Sequence, residues 1–217
     1  MGMVSTIGRL TDLAEAQYGL VTTRQAERRG VPRRDLARLV QAGGYERVGH
    51  GVYRVGGAPR PRLLDLRVAW LQLAPGTGLD QRTAGDGVVS HASATLVYEV
   101  GLLSPWRYEF TVPSSRRVRS RREDVVIHSA PVADTDVVWT DGLLLTTPRR
   151  TVADLCGVRT DGEHLADVVC DFLRRGLSTR DDMAAALAPH ATAYLGCPAD
   201  GEQFLHHLVA LVSGGPR

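Results

Sequence analysis

The chain has 217 residues, room for one or two domains, and its 43% apolar share places it among ordinary globular proteins rather than disordered ones. No apolar run reaches the roughly 20 residues that cross a bilayer, and the start MGMVSTIGRL lacks the basic and apolar segments of a secretory signal; a cytoplasmic protein with no membrane partner is expected. Cys156, Cys170 and Cys197 are odd in number and widely spaced, which argues against a disulfide framework.

All 26 basic side chains are arginine; the chain has neither lysine nor asparagine. An arginine at a given position therefore carries no sign of having been chosen over lysine, although each retains the planar, bidentate donor geometry. The net charge of +2 hides an asymmetry. Residues 1–62 hold 11 arginines against Asp12, Glu15, Glu27, Asp35 and Glu46, a net of +6, whereas residues 63–217 hold 15 arginines against 19 acids, a net of −4. A basic head on a mildly acidic body points to a polyanion as partner for the head.

In chain order, residues 7–17 read as a helix, with Ile7, Leu10, Leu13 and Ala14 at helical spacing, Thr6 as cap and Gly19 as stop. Val21 is an extended link. Thr22, three residues before Gln25, makes a capping box for a short helix over 23–29 that Gly30 ends. Pro32 suits the first position of a third helix running to about Ala42. Its apolar face is Leu36, Leu39 and Val40; Arg33, Arg34, Arg38 and Gln41 point elsewhere. Residues 45–48 and 51–55 read as strands around Gly49-His50-Gly51, where glycine supplies the positive φ of a tight turn. Arg47, His50 and Arg54 decorate this hairpin.

Helix, helix, turn, helix, hairpin is the order of a winged helix-turn-helix. In such a unit the third helix enters the major groove and the hairpin lies along the neighbouring backbone. Arginine can neutralise phosphates and read guanine edges there. The expected DNA contacts are Thr23, Arg24, Arg33, Arg34, Arg38, Gln41, Arg47, His50 and Arg54, with the N-terminal amides of the second helix and Thr23 clamping a phosphate. A solvated arginine face on some other helical unit, or a winged helix that binds protein, remain the alternatives.

Residues 56–64, GGAPRPRLL, look like a linker, giving a winged-helix domain over 1–57 and a second domain over 58–217. The second begins with a helix over 61–73 carrying Leu64, Val68 and Leu71 on one face. A loop over 75–87 precedes a helix capped by Ser90, with Ala94, Val97 and Tyr98 inward and Gly101 as its end. Strands are expected over 108–112 and 125–130, and a hairpin around Asp141-Gly142. Thr147-Pro148 opens a helix through Leu155. Helices over 163–174, 179–187 and 201–212 follow, with Leu165, Val168, Val169 and Phe172, and then Phe204, Leu205, Leu208 and Val212, turned inward. The expected fold class is α+β: an N-terminal winged helix-turn-helix, then a mixed α/β domain with a small sheet and a helical C-terminal end.

The run GLVTTRQAERRGVPRRDLARLVQAGGYERVGHGVYRV resembles the N-terminal winged helix of the AbiEi-type antitoxins of type IV toxin–antitoxin operons. Ser90-His91-Ala92-Ser93-Ala94 and the run TPRRTVADL over 147–155 are similar to recurring segments of the same family. The resemblance covers about residues 5–157 well and the rest loosely. It implies a bipartite protein. The winged helix would bind inverted repeats of double-stranded promoter DNA and repress its own operon, and the second domain would oppose a cognate toxin resembling a nucleotidyltransferase. A ligand-responsive winged-helix regulator without a toxin partner is the alternative.

No enzyme is expected. Among Cys156, Cys170, Cys197, His164, His190, His206 and His207 no pair has metal-ligand spacing, so neither a metal nor another cofactor is anticipated. His91 beside Ser90 reads as a packed histidine at a helix cap, since a catalytic triad is defined in space and not by adjacency. The loop with Arg116, Arg117, Arg119, Arg121 and Arg122 could touch a partner protein or nucleic acid, or lie in water.

Overall fold

The structure is a computed structural model that describes residues 3–118, 120 and 122–214; nothing is described of the side chains of residues 3–7 and 214. Helix α1 (Met3–Ala16) begins upstream of the expected Thr6 cap. It is followed by β1 (Leu20–Thr22), α2 (Thr23–Arg28), α3 (Arg33–Gln41), β2 (Tyr45–Gly49) and β3 (Val52–Val55). The three strands form one sheet in the order β1-β3-β2, both pairs antiparallel. The capping box predicted at Thr22 and Gln25 is present, with both reciprocal bonds made. Leu10, Leu13, Ala14, Val21, Ala26, Val31, Leu36, Leu39 and Tyr45 make the buried core of this unit. The apolar positions of α1 and α3 thus meet as their spacing predicts.

The second unit starts with α4 (Leu64–Leu73), three residues later than expected because Leu63 takes a left-handed conformation. Two 3₁₀ turns occupy the predicted 75–87 loop. There follow β4 (Val88–Val89), α5 (His91–Tyr98), β5 (Tyr108–Val112), β6 (Val125–Ser129), β7 (Val137–Thr140) and β8 (Leu143–Thr146). The sheet order is β6-β5-β4-β8-β7, with β5–β6 and β4–β8 parallel and the other two pairs antiparallel. Asp141 and Gly142, both at positive φ, close the β7–β8 hairpin as their dipeptide predicts. The chain ends in α6 (Pro148–Gly157), α7 (Gly162–Arg174), α8 (Arg180–Leu187), α9 (Ala191–Leu195) and α10 (Gly201–Gly214). The predicted inward residues of α7 are buried; on α10, Phe204, Leu205 and Leu208 are buried but Val212 is exposed.

Helix α4 joins the two units. Its predicted face, Leu64, Val68 and Leu71, packs on Leu20 and Val52 of the winged-helix sheet. Its other side, Leu66, Ala69, Trp70 and Leu73, enters the core of the second unit. Wrapped by protein on both sides, the helix lacks a polar face. The 56–64 segment accordingly behaves as a packed connection and not as a free tether. The Gly56 amide donates to the Gly44 carbonyl at 2.9 Å, and a Cβ at Gly56 would collide with the Gly43 carbonyl oxygen.

Arg67 of α4, 3% exposed, ties three elements together. It donates to the Asp141 carbonyl at 2.8 Å and pairs with the Asp141 carboxylate at 2.5 Å. Its guanidinium also lies 4.0 Å from the centre of the Tyr18 ring, and the Tyr18 hydroxyl donates to Asp141 at 3.0 Å. Replacing Arg67 with alanine removes the cation and leaves its partners facing a void. Because Asp141 is partly exposed, the expected loss is about 2–3 kcal/mol, below that for a fully buried pair. Urea unfolding of Arg67→Ala against the parent measures it.

Candidate nucleic-acid interface

In α3, Leu36 and Leu39 are buried while Arg33, Arg34, Ala37, Arg38 and Gln41 are exposed. At about 100° per residue the five exposed positions fall within an arc of about 140°, opposite the buried pair. The side chains of Arg33, Arg34 and Arg38 are 76%, 80% and 73% exposed, so nothing in the fold consumes them. Each has an acidic neighbour: Glu27 is 3.0 Å from Arg33, and Asp35 is 3.8 Å from Arg34 and 3.3 Å from Arg38. Surface pairs of this kind contribute about 0–1 kcal/mol and exchange easily for other anions. Arg24 on α2 and Arg47 and His50 on the hairpin are also exposed.

Two expected contacts are turned inward. Thr23 is 8% exposed, and its hydroxyl and amide both donate to the Gly51 carbonyl. The Gln25 amide donates to the Thr22 hydroxyl at 3.1 Å. Thr22 itself donates to Pro75 O, Gln25 to Thr77 O at 2.8 Å, and Arg28 to Gly76 O. The start of α2 is therefore docked on the 75–77 loop, and the Thr23 hydroxyl and the Thr23 and Gln25 amides, expected to clamp a phosphate, already have partners within the fold. Arg54, 8% exposed, faces Glu46 across the β2–β3 pair at 2.7 Å and donates to the Ala58 carbonyl, so it braces the hairpin from within. The hairpin tip rests on α4, where Gln72 donates to the His50 carbonyl at 2.9 Å.

The arginine loop divides in a similar way. Arg116 donates to the Gly85 and Leu73 carbonyls at 2.7 and 2.8 Å, and Arg122 grips Asp124 at 2.8 and 2.5 Å. Arg116 thereby pins the loop to its own domain, while Arg122 pairs with a carboxylate two residues on. Arg117 is exposed; Arg119 and Arg121 lie outside the described residues.

A second cluster has no counterpart among the expected sites. His91 opens α5 with φ +52°, and its ring stacks on that of His128 of β6 with centroids 3.6 Å apart. Glu109 of β5 lies between them in sequence and beside both in space, 3.9 Å from His91 and 3.5 Å from His128. Ser90 makes no cap bond; its hydroxyl sits 2.9 Å from His91 Nδ1 and accepts from Thr111 at 2.8 Å. Burial pushes the His91 imidazole down to about 3, so the ring is neutral at physiological pH. Asp154 of α6 is raised by burial in spite of the Arg150 guanidinium 2.8 Å away. The two segments that resemble recurring family runs, 90–94 and 147–155, thus converge on one buried polar locus. No spacing rule could have found it, because its members come from a helix start and two strands.

The crystal structure of the RV2827C protein from Mycobacterium tuberculosis aligns with 97% of this chain and 78% of its own, with a TM-score of 0.54 and 19% identity, a likeness of fold. A comparison with curated proteins gives no match. No helix among the described residues is long and apolar enough to cross a membrane. Residues 9–56, spanning most of α1 through β3 with the outward arginine face of α3, match the model of the family described as transcriptional regulator, AbiEi antitoxin.

Proposed function

We propose that the protein is an autorepressing antitoxin that binds its own promoter through α3 and opposes a nucleotidyltransferase-like toxin through the second unit. The observation that carries the DNA-binding half is the outward set Arg33, Arg34, Arg38 and Gln41 on a helix whose opposite side is buried. With Arg24 and Arg47 beside it, this face can neutralise phosphates and present guanidinium groups to base edges. Thr23 and Arg54 are left out of the interface because both are spent inside the fold.

Titration of a duplex from the region upstream of the gene tests this directly. Each neutralised phosphate contributes about −0.9 to the slope of log K against log salt, so five outward arginines set a limit of about −4.5 per bound protomer. A slope near zero overturns the assignment. The antitoxin half predicts that co-expression restores growth to cells carrying the product of the adjoining toxin-like gene.

One observation favours the alternative of a ligand-responsive regulator. A cleft of about 460 Å³, lined by Ala14, Tyr18, Tyr45, Val55 and Pro59 among others, opens where α1 meets the 56–64 connection. Absence of a toxin-like neighbour, together with a small molecule that alters DNA affinity, would favour that reading over the antitoxin.

A further inference from the structure

We propose that His91, Glu109 and His128 bind one divalent transition-metal ion of the zinc class, in a site independent of the DNA-binding face. One ligand atom from each of the three residues lies within 4.8 Å of the other two. The backbone brings them together. In the parallel β5–β6 pair, Thr111 stands opposite His128 and Glu109 opposite Val126, so the alternation of side chains puts Glu109, Thr111 and His128 on one sheet face. The chain leaving β4 delivers His91 beside them at the first position of α5.

Among the described residues, three buried polar atoms at this locus have no hydrogen-bond partner: Glu109 Oε2, His128 Nε2 and Asp154 Oδ2. The Asp154 side chain is nine-tenths buried, and His128 is close enough to act on its charge. Folded proteins leave few such atoms unpaired, since each one costs about 1–3 kcal/mol. A cation in coordination distance of Glu109 and His128 satisfies the first two together. Zinc holds nitrogen and oxygen ligands at about 2.0–2.2 Å. The 3.9 and 3.5 Å gaps from Glu109 to the two histidines are close to the ligand–ligand spacing this implies. The rings stack only 16° from parallel, so one of them must turn through a large angle for both to face one ion. His128, 25% exposed against 6% for His91, is the ring with room to turn.

The surroundings suit this role. Ser90, itself held by Thr111, lies 2.9 Å from His91 Nδ1, the same nitrogen that faces Glu109, and yields that contact to the ion. The neighbouring cation, Arg150, is offset by Asp136 and Asp154, each 2.8 Å away. Two imidazole nitrogens and one carboxylate favour zinc, cobalt or nickel over magnesium or calcium, which prefer all-oxygen shells. Three protein ligands leave a position for water.

The full chain, stripped with a chelator, is titrated with Zn²⁺ by calorimetry and with Co²⁺ by visible absorption. One tightly bound equivalent is expected, with a cobalt spectrum free of thiolate charge transfer. Glu109→Gln and His128→Gln should each weaken binding at least 100-fold. A control lacking the exposed His206, His207 and Cys197 should bind like the parent. No bound equivalent in the parent, a thiolate band, or loss of binding in the control overturns the site. So does parent-like affinity in both ligand variants. If either ligand variant fails to fold, the stoichiometry and spectrum of the parent and the control decide.

Discussion

Replacing Arg33, Arg34 and Arg38 together with alanine should lower affinity for the upstream duplex on the order of 100-fold or more. A guanidinium engaged with a base edge contributes about 1–3 kcal/mol, so three such losses exceed the 2.7 kcal/mol or so that corresponds to that factor. All three are highly exposed and meet only surface acids, so the variant should keep its stability within about 1 kcal/mol of the parent. Arg54→Ala is the contrasting case. Its guanidinium braces β3 against Glu46 and Ala58, so the damage should appear in unfolding before it appears in binding. Fluorescence anisotropy and urea unfolding on both proteins separate the two roles. Parent-like DNA affinity in the triple variant would show that α3 is not the contact surface.

The largest stability effect is expected at Arg82, where Arg82→Ala should cost about 3–5 kcal/mol. Its side chain, 5% exposed, donates to the carbonyls of Trp70, Leu71 and Ala74 at 3.0, 3.1 and 3.0 Å. These belong to the last turn of α4, where helix carbonyls lack partners within the helix. The guanidinium also lies 4.1 Å from the centre of the Trp70 ring and carries positive charge to the negative end of the helix dipole. Burial lowers its pKa to about 10, which still leaves it charged at neutral pH. Without it three carbonyls are stranded, each at about 1–3 kcal/mol. Arg82→Met keeps the apolar stem but no donors, so it separates packing from capping. Urea unfolding of Arg82→Met within 1 kcal/mol of the parent would refute the capping account.

What was legible in the sequence was local. The Thr22–Gln25 box, the glycine after α2 and the Asp141-Gly142 turn are set by side-chain and φ chemistry within four residues, and they appear where that chemistry puts them. The apolar spacing of α3 likewise fixed which side turns outward. Contacts made across the chain were not legible. Thr23 and Arg54 look like surface groups until β1 and β3 pair and enclose them. Helix α4 displays one apolar stripe to inspection, yet it is buried on both sides because two units meet on it. Strand β4, two residues long, has too few residues to show alternation. His91, Glu109 and His128 carry no spacing signature because a helix start and a parallel strand pair, separated by loops, bring them together.

The packed α4 joint has a consequence for how the molecule can be divided. A fragment ending at residue 57 would strip Leu20 and Val52 of Leu64, Val68 and Leu71, leaving an oily flank where the intact chain is sealed. Helix α3 therefore has no swivel of its own. On the proposed reading, two copies on inverted repeats must meet their spacing as whole bodies.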